Sequence, residues 1–183
     1  MLLNLYMKQD LLLSEFKAQS EFGGTLAAGK RKTARPITTK KFMHLVLRSE
    51  FSTGKVSLLK HERMVRALLS EMGRRFYVQV SDVAVNSNHL HLLVMAKSRE
   101  GFKKFLRSIS GILGKRMLKY NPLVGTRFWT EITYSRIVEW GYPLQIVRNY
   151  IEQNVLEANG FLPYRVRKQR SKRKVSKIIK DYS

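Results

Sequence analysis

Two histidines near the middle of the chain have the spacing of a metal site. His89 and His91 lie in the apolar segment HLHLLV, with one leucine between them. Because side chains alternate between the faces of a strand, both imidazoles point to the same side, roughly 6 to 7 Å apart at the backbone. Two imidazoles can bind one metal ion and leave positions open for an amide oxygen, water and a phosphate. Histidines on a sheet face also pack or form hydrogen bonds, and the motif alone leaves that alternative open.

A second pair of residues lies in the segment RNYIEQN. Tyr150 and Asn154 are four residues apart, so a helix places them on one face and one turn apart. A tyrosine hydroxyl can act as a covalent nucleophile when a nearby cation or base assists it. Asn154 can offer an amide oxygen as a third metal ligand, with Gln153 as the alternative. The other reading is a half-buried core tyrosine with its hydroxyl outward.

The charge of the chain predicts a polyanionic partner. Lysine and arginine outnumber aspartate and glutamate by 35 to 13 over 183 residues, giving a formal net charge of +22. Such an excess costs stability through self-repulsion and is typical of proteins that bind polyanions. Nucleic acid is the first candidate partner, and an anionic membrane surface is the second.

The remaining composition restricts the kind of site and the compartment. The absence of cysteine excludes disulfides and thiolate zinc sites, so imidazole, carboxylate or amide groups must hold any metal. The apolar start, Met1 to Met7, lacks the basic leader and the length of a signal peptide or membrane span. We therefore expect a soluble cytoplasmic protein, and of the two candidate partners we expect nucleic acid and no membrane.

The apolar pattern alternates between the periods of strands and helices, which predicts an α+β fold. The expected order is strand, helix, strand, strand, helix, strand, helix, over Phe42–Leu47, His61–Gly73, Phe76–Val85, His89–Met95, Gly101–Lys119, Phe128–Val138 and a last helix from about Pro143 to Ala158. This is the βαββαβ order of a ferredoxin-like fold, with an antiparallel sheet, helices on one face and an added C-terminal catalytic helix.

Composition shifts divide the chain into three parts. Residues 1–37 are interpreted as an N-terminal arm followed by a basic linker, the linker being Gly23 to Pro36, where glycine, alanine and basic residues replace the apolar periodicity. Residues 38–162 form the predicted catalytic domain. Residues 163–183 are a strongly basic tail that we expect to become ordered only against phosphates.

The combination of these motifs resembles the single-tyrosine HUH transposases, the IS200-like family, and most of all the REP-associated tyrosine transposases. The resemblance covers roughly residues 23–160. It rests on the HLH triplet, on YIEQN and on three further segments: HLVLRS with the basic linker before it, RSISGILGKRM, and FWTEITYSRIV. The chain departs from the pattern at Val155, where many members have proline, which leaves the proposed amide ligand intact.

The resemblance implies a metal-dependent endonuclease and strand transferase acting on single-stranded DNA. Tyr150 would form a 5′-phosphotyrosine intermediate at a hairpin-associated site, REP-like or at a transposon end. His89, His91 and Asn154 would bind Mg²⁺ or Mn²⁺. The protein would act as a monomer or a homodimer, and the REP-associated branch favours the monomer. The alternatives are a domesticated, noncatalytic nucleic-acid-binding protein, an RNA-recognition module, and a metal-dependent hydrolase without a covalent step.

Contacts with DNA are expected from basic and aromatic side chains around the site. The basic candidates are Arg107, Lys115, Arg116, Lys119, Arg136 and Arg148. Trp129 is the principal candidate for stacking on unpaired bases, with Tyr134 and Phe128 beside it; a core position is also possible for all three and is favoured for Phe128. His44 is expected beside the metal-binding strand in a structural role, and His61 on the surface.

Overall fold

The computed structural model describes residues 21–27, 34–120 and 127–163. It contains five strands and three helices in this part of the chain, together with short 3₁₀ turns at Gly24–Ala27, Gly54–Val56 and Leu59–His61. The strands are β1 (Glu21–Phe22), β2 (Phe42–Arg48), β3 (Val78–Val85), β4 (His89–Ala96) and β5 (Tyr134–Val138). The helices are α1 (Glu62–Phe76), α2 (Arg99–Leu118) and α3 (Tyr142–Ala158).

The strands form one antiparallel sheet in the order β1-β5-β2-β4-β3. Without β1, this is the strand order of a ferredoxin-like fold, in which the first and third strands of the βαββαβ unit are the central pair. The predicted α+β class and ferredoxin-like arrangement are therefore confirmed. β1 is an addition that the sequence did not predict, and it pairs with β5 at the edge of the sheet.

One face of the sheet carries the main hydrophobic core. Alternate residues of the central strands point to this face and pack against the inner sides of α1 and α2. The most completely buried of them include Leu45, Leu47, Leu90, Leu92, Leu68, Leu69, Phe102 and Phe105. Because Leu90 and Leu92 face this core, His89 and His91 must face the opposite side.

The opposite face is covered in part by α3. Leu144, Val147 and Ile151 of this helix pack against a second, smaller apolar cluster on the sheet. The strand residues of that cluster are Phe42, Ala84, Leu93 and Val138. The last helix therefore lies on the histidine-bearing face, which we call the catalytic face, and α1 and α2 lie on the other.

The last strand is shorter than predicted. Only Tyr134–Val138 pairs as a strand, whereas the aromatic and β-branched composition predicted one from Phe128. Phe128 is buried in the main core, and the Trp129 indole N–H donates a hydrogen bond to the Ser110 carbonyl of α2. The bulky residues before Tyr134 thus serve packing against α2 instead of strand pairing.

The ends of the predicted basic linker are held against the sheet. Gly23 has a positive φ of 84°, and the Gly24 N–H donates to the Ile132 carbonyl. At the other end, the Arg35 guanidinium donates to the Ser135 hydroxyl and the Thr133 carbonyl and lies over the Phe22 ring. Burial lowers the pKa of Arg35 to about 10. Both ends of the linker therefore dock on β5 and the residues just before it.

The proposed arm up to residue 20, the centre of the linker at 28–33, and all of the basic tail after Pro163 lie outside the described residues. No helix within the described ranges combines the length and the hydropathy that crossing a bilayer requires.

Candidate active site

Three side chains meet on the catalytic face: Tyr150 of α3, His91 of β4 and His44 of β2. The ring centroid of Tyr150 is 5.3 Å from that of His91 and 6.0 Å from that of His44, and the rings meet edge to face. Both histidines are buried, and Tyr150 is half-buried. The predicted nucleophile and one of the predicted metal ligands are therefore neighbours in the folded chain.

His44 and His91 form a buried pair. The Nε2 atom of His44 lies 3.2 Å from the Nδ1 atom of His91, and the two rings stack with centroids 5.3 Å apart. Burial, aided by the positive charge of Arg136, lowers the pKa of His44 to about 3. The His44 ring is thus neutral at ordinary pH and can share one proton with His91 in a hydrogen bond.

His89 is the first residue of β4, and its ring centroid is 4.8 Å from that of His91. Its Nδ1 atom is 2.7 Å from the Asn88 side-chain oxygen, to which the ring N–H donates in the matching tautomer. Its Nε2 atom is 3.1 Å from the side-chain nitrogen of Asn86. The polar NSN turn before β4 therefore fixes the orientation of this imidazole.

The two amides proposed as alternative ligands have different surroundings. Asn154 is buried, 2% exposed, and its amide N–H donates to the Tyr150 carbonyl one turn earlier at 2.7 Å. Gln153 is only half-buried, and its amide donates to the Glu157 carboxylate along the helix at 2.9 Å. Asn154 is thus the more buried of the two amides, and the choice between them as a ligand stays a prediction.

The arrangement of ring nitrogens fits a metal held by His89 and His91. In each imidazole, Nδ1 lies within hydrogen-bond distance of a neighbouring side chain, Asn88 or His44. Histidine ligands in metal sites generally have one nitrogen oriented in this way while the other binds the ion. At His89 the ion would replace the Asn86 amide. Within the described ranges, no group of three or more histidine, acidic or cysteine residues is arranged to hold a metal ion.

Cationic and aromatic side chains border the histidines on the catalytic face. Arg136 is the register partner of His44, and the Tyr134 ring centroid is 6.4 Å from that of His44. Arg48, at the end of β2, is the register partner of His89. Sequence reasoning missed Arg48 and ranked His44 as structural. Alternation along β2 places His44 and Arg48 on the same face of that strand. Only the pairing of β2 with β4 shows that this face also carries His89 and His91.

Most of the other residues proposed for DNA binding lie elsewhere. Arg107, Lys115 and Arg116 are exposed on α2, across the sheet from Tyr150, and Lys119 is exposed directly after the last residue of this helix. Arg148 of α3 is 3.6 Å from the Asp82 carboxylate, and its guanidinium lies over the Phe42 ring. Trp129 packs against α2, where it also borders Gly114. The role of each in binding DNA stays a prediction.

The site can perform nucleophilic chemistry on an anionic substrate. The Tyr150 hydroxyl is carried by a rigid helix, adjacent imidazoles can bind a cation, and arginines lie on the same face. Attack on a phosphodiester requires a nucleophile positioned in line with the leaving oxygen and positive charge near the non-bridging oxygens. In this chain, Tyr150 is the candidate for the nucleophile, and the arginines on the same face are candidates for the positive charge.

The sequence matches the profile of a family described as "Transposase IS200 like" over residues 38–154. That range extends from just before β2 to Asn154 and includes His89, His91 and Tyr150. No curated protein matches the chain.

Two solved structures resemble the fold. One is a REP-associated tyrosine transposase bound to a REP hairpin, with a TM-score of 0.56 and 13% sequence identity over 73% of this chain and 76% of that chain. The other is a putative transposase from Deinococcus radiodurans R1, with a TM-score of 0.43 and 16% identity over 68% of this chain and 98% of that chain. At such identities, the first likeness shows the fold, and the second carries no further conclusion.

Proposed function

The chain belongs to the IS200-like transposase family, and from that membership we propose that it is a single-stranded DNA endonuclease and strand transferase with Tyr150 as its nucleophile. The observation that carries this proposal is the contact between the Tyr150 and His91 rings, with centroids 5.3 Å apart. It unites in one chain the two motifs, HLH and YIEQN, that are separated by about 60 residues of sequence.

In the proposed reaction, the Tyr150 oxygen attacks the phosphorus of a DNA phosphodiester and loses its proton. The bond from phosphorus to the 3′ oxygen breaks, and that oxygen gains a proton, leaving a 3′-hydroxyl and a 5′-phosphotyrosine link. The link conserves the energy of the phosphodiester, so attack by another 3′-hydroxyl can rejoin DNA without ATP. α3 positions the tyrosine, and the neighbouring arginines stabilise the phosphate charge.

A divalent cation, Mg²⁺ or Mn²⁺, is the proposed cofactor, with His89, His91 and the Asn154 amide oxygen as its protein ligands. When bound, the ion would polarise a non-bridging phosphate oxygen. His44 and Asn88 would orient the two imidazoles through their Nδ1 atoms, at 3.2 and 2.7 Å.

The proposed substrate is single-stranded DNA that carries a hairpin, REP-like or at a transposon end. The net charge of +22 and the fold shared with a transposase solved in complex with a REP hairpin support this choice. We also propose that this activity is cytoplasmic. We retain residues 1–37 as an arm and linker and 163–183 as a tail that assist binding to phosphates.

We further propose that the active unit is a monomer. Tyr150 contacts histidines of its own chain, so a partner subunit is not needed to complete the site. A homodimer that exchanges tyrosine helices is the alternative.

The decisive experiment traps the covalent intermediate. The protein is incubated with labelled hairpin-bearing single strands and Mn²⁺, and SDS-resistant protein–DNA adducts are measured for the wild type, Tyr150→Phe and His89→Ala/His91→Ala. Tyr142→Phe, which alters an exposed tyrosine at the start of the same helix, is the matched control.

We expect an adduct from the wild type and the control, and none from Tyr150→Phe or the double histidine variant. An adduct that persists in Tyr150→Phe would refute the nucleophile. Cleavage without any adduct would indicate simple hydrolysis, and binding without cleavage would indicate a domesticated binding protein. Unchanged cleavage by the double histidine variant would exclude the proposed metal ligands.

A further inference from the structure

Part of the catalytic face is left open by α3. Along β2, the side chains on this face change from buried Phe42 and His44 to half-buried Val46 and exposed Arg48. Along the antiparallel β5, they change in the same direction, from buried Val138 to half-buried residues at 136 and 134. The cover provided by α3 therefore ends part way along the sheet, and an accessible surface begins beside the histidines.

Three side chains define this surface: Arg48, Tyr134 and Arg136, which we call the open strip. Arg48 is directly opposite His89 in the β2–β4 register, so their Cβ atoms are roughly 5 Å apart on one face. Arg136 is opposite His44. The strip therefore borders the histidines on the β2 and β5 side, while Tyr150 approaches them from α3.

The charge of the open strip is not compensated by ion pairs. The salt bridges formed among the described residues include neither Arg48 nor Arg136. The nearby carboxylates include Glu21, the register partner of Arg136 on β1, and Glu131, which borders Gly24 together with the Tyr134 side chain. Neither forms an ion pair within 4 Å with Arg48 or Arg136. Two such guanidinium groups on an accessible surface are suited to phosphate oxygens.

The spacing of the two arginines indicates an extended ligand. Arg136 of β5 lies opposite His44 of β2, and Arg48 is four residues beyond His44 on β2. Four residues of strand place the backbones of the two arginines roughly 13 Å apart along the strand direction. Arginine side chains that stand roughly perpendicular to the sheet at that separation would contact different phosphates. A chain of phosphates that contacts both must cross the surface beside His44 and His91, with Tyr134 between the two contacts.

We propose that the open strip binds the segment of single-stranded DNA that enters the active site, with Arg48 and Arg136 on separate phosphates of that segment and Tyr134 stacked on a base. This inference rests on the proposed function, because it assigns the path of the substrate at the same site. It differs from the predicted basic surface on α2, which lies across the sheet.

The test measures binding without cleavage. Fluorescence anisotropy follows a short unstructured oligonucleotide binding to the full chain carrying Tyr150→Phe, in EDTA, across a series of salt concentrations. Each phosphate contact on a single strand contributes about 0.7 to the slope of log K against log salt concentration. Arg48→Gln and Arg136→Gln should each reduce the slope by about 0.7, and the double variant by about twice that.

Three further variants separate binding from folding and from general charge. Arg63→Gln removes an equal charge from the exposed side of α1, on the other face, and should leave the slope unchanged. Arg136→Lys keeps the charge at a half-buried position and should retain the slope even if Arg136→Gln unfolds. Tyr134→Leu should weaken binding about tenfold with no change in slope, as expected for lost stacking.

Wild-type slopes in folded Arg48→Gln and Arg136→Gln proteins would overturn the proposal, and so would an equal decrease in Arg63→Gln. The adduct assay distinguishes the two proposals. An adduct with unchanged slopes would reject the open strip alone, whereas reduced slopes without any adduct would reject the enzymatic function and retain the strip.

Discussion

The Nε2 atom of His44 and the Nδ1 atom of His91 lie 3.2 Å apart on the catalytic face, and both rings contact the ring of Tyr150. The two residues are 47 positions apart in the chain and meet because β2 and β4 are neighbours in the sheet. Since the His44 ring is buried and neutral, it can form a hydrogen bond with His91 in the matching tautomers, and this contact orients the His91 ring.

Replacing His44 with phenylalanine should reduce the affinity for Mn²⁺ by 10- to 100-fold, the usual effect of losing a residue that orients a metal ligand. The measurement is free Mn²⁺ by electron paramagnetic resonance, together with the Mn²⁺ dependence of adduct formation. His44→Gln, which keeps a hydrogen-bonding group, should recover part of the loss. His61→Phe is the control, because His61 stacks on Tyr120 away from the site. Equal Mn²⁺ affinity in His44→Phe and wild type would contradict the expectation.

The stability of the metal-free protein should decrease in acid partly because of His44. Burial, and secondarily the charge of Arg136, lowers the pKa of His44 from 6.5 to about 3. Between these values the unfolded chain binds more protons than the folded one, so stability rises with pH from about 3 to 6.5 and is constant above.

Because of His44, the free energy of unfolding at pH 5 should be about 2 kcal/mol lower than at pH 7.5. Urea unfolding in EDTA measures the free energy of unfolding at both pH values. Its decrease from pH 7.5 to pH 5 should be larger in the wild type than in His44→Phe by about this amount. Equal losses in the two proteins would show that His44 is not responsible.

Substitution of the two candidate amides should have opposite outcomes. Asn154→Ala should abolish the adduct and weaken Mn²⁺ binding, because this amide is buried on the side of the helix that carries Tyr150. Gln153→Ala should retain at least half of the activity, because its amide is engaged with Glu157. The reverse result would assign the third ligand to Gln153.

Mixing two inactive variants tests whether one chain completes the site. Tyr150→Phe lacks the nucleophile, and His91→Ala lacks a metal ligand. Because the tyrosine and the histidines meet within one chain, an equimolar mixture should form no adduct. Recovery to about a quarter or more of the wild-type level would instead indicate a dimer that exchanges α3, and light scattering would reveal its mass.

The edge strand β1 should depend on Gly23. A Cβ atom at this position would lie 2.2 Å from the Thr133 carbonyl oxygen, and the backbone has a positive φ of 84°. Gly23→Ala should therefore detach β1, which hydrogen exchange would detect as faster exchange at Glu21–Phe22 and in β5. Gly160→Ala is the matched control: its φ is 75° but nothing lies within 4 Å, so it should cost only the roughly 1–2 kcal/mol of a left-handed residue. Equal exchange in β5 of both variants would exclude the clash.

Local periodicity predicted much of the fold. The strand containing His89 and His91, and the helix containing Tyr150 and Asn154, follow from patterns that span two and four residues, respectively. The order of these elements predicted the ferredoxin-like sheet. A local pattern failed where packing competed with it: the residues from Phe128 to Thr133 have strand-forming composition but pack against α2 and the end of β2.

The sequence by itself determined which side chains share a face within each element, because that depends only on backbone geometry. The tertiary structure decided which faces meet. The pairing of His44 with His91, the position of Arg48 opposite His89, and the addition of β1 to the sheet all depend on register between distant segments. Such a register is set by the burial of whole faces and by the geometry of the connections, neither of which a short window of sequence contains.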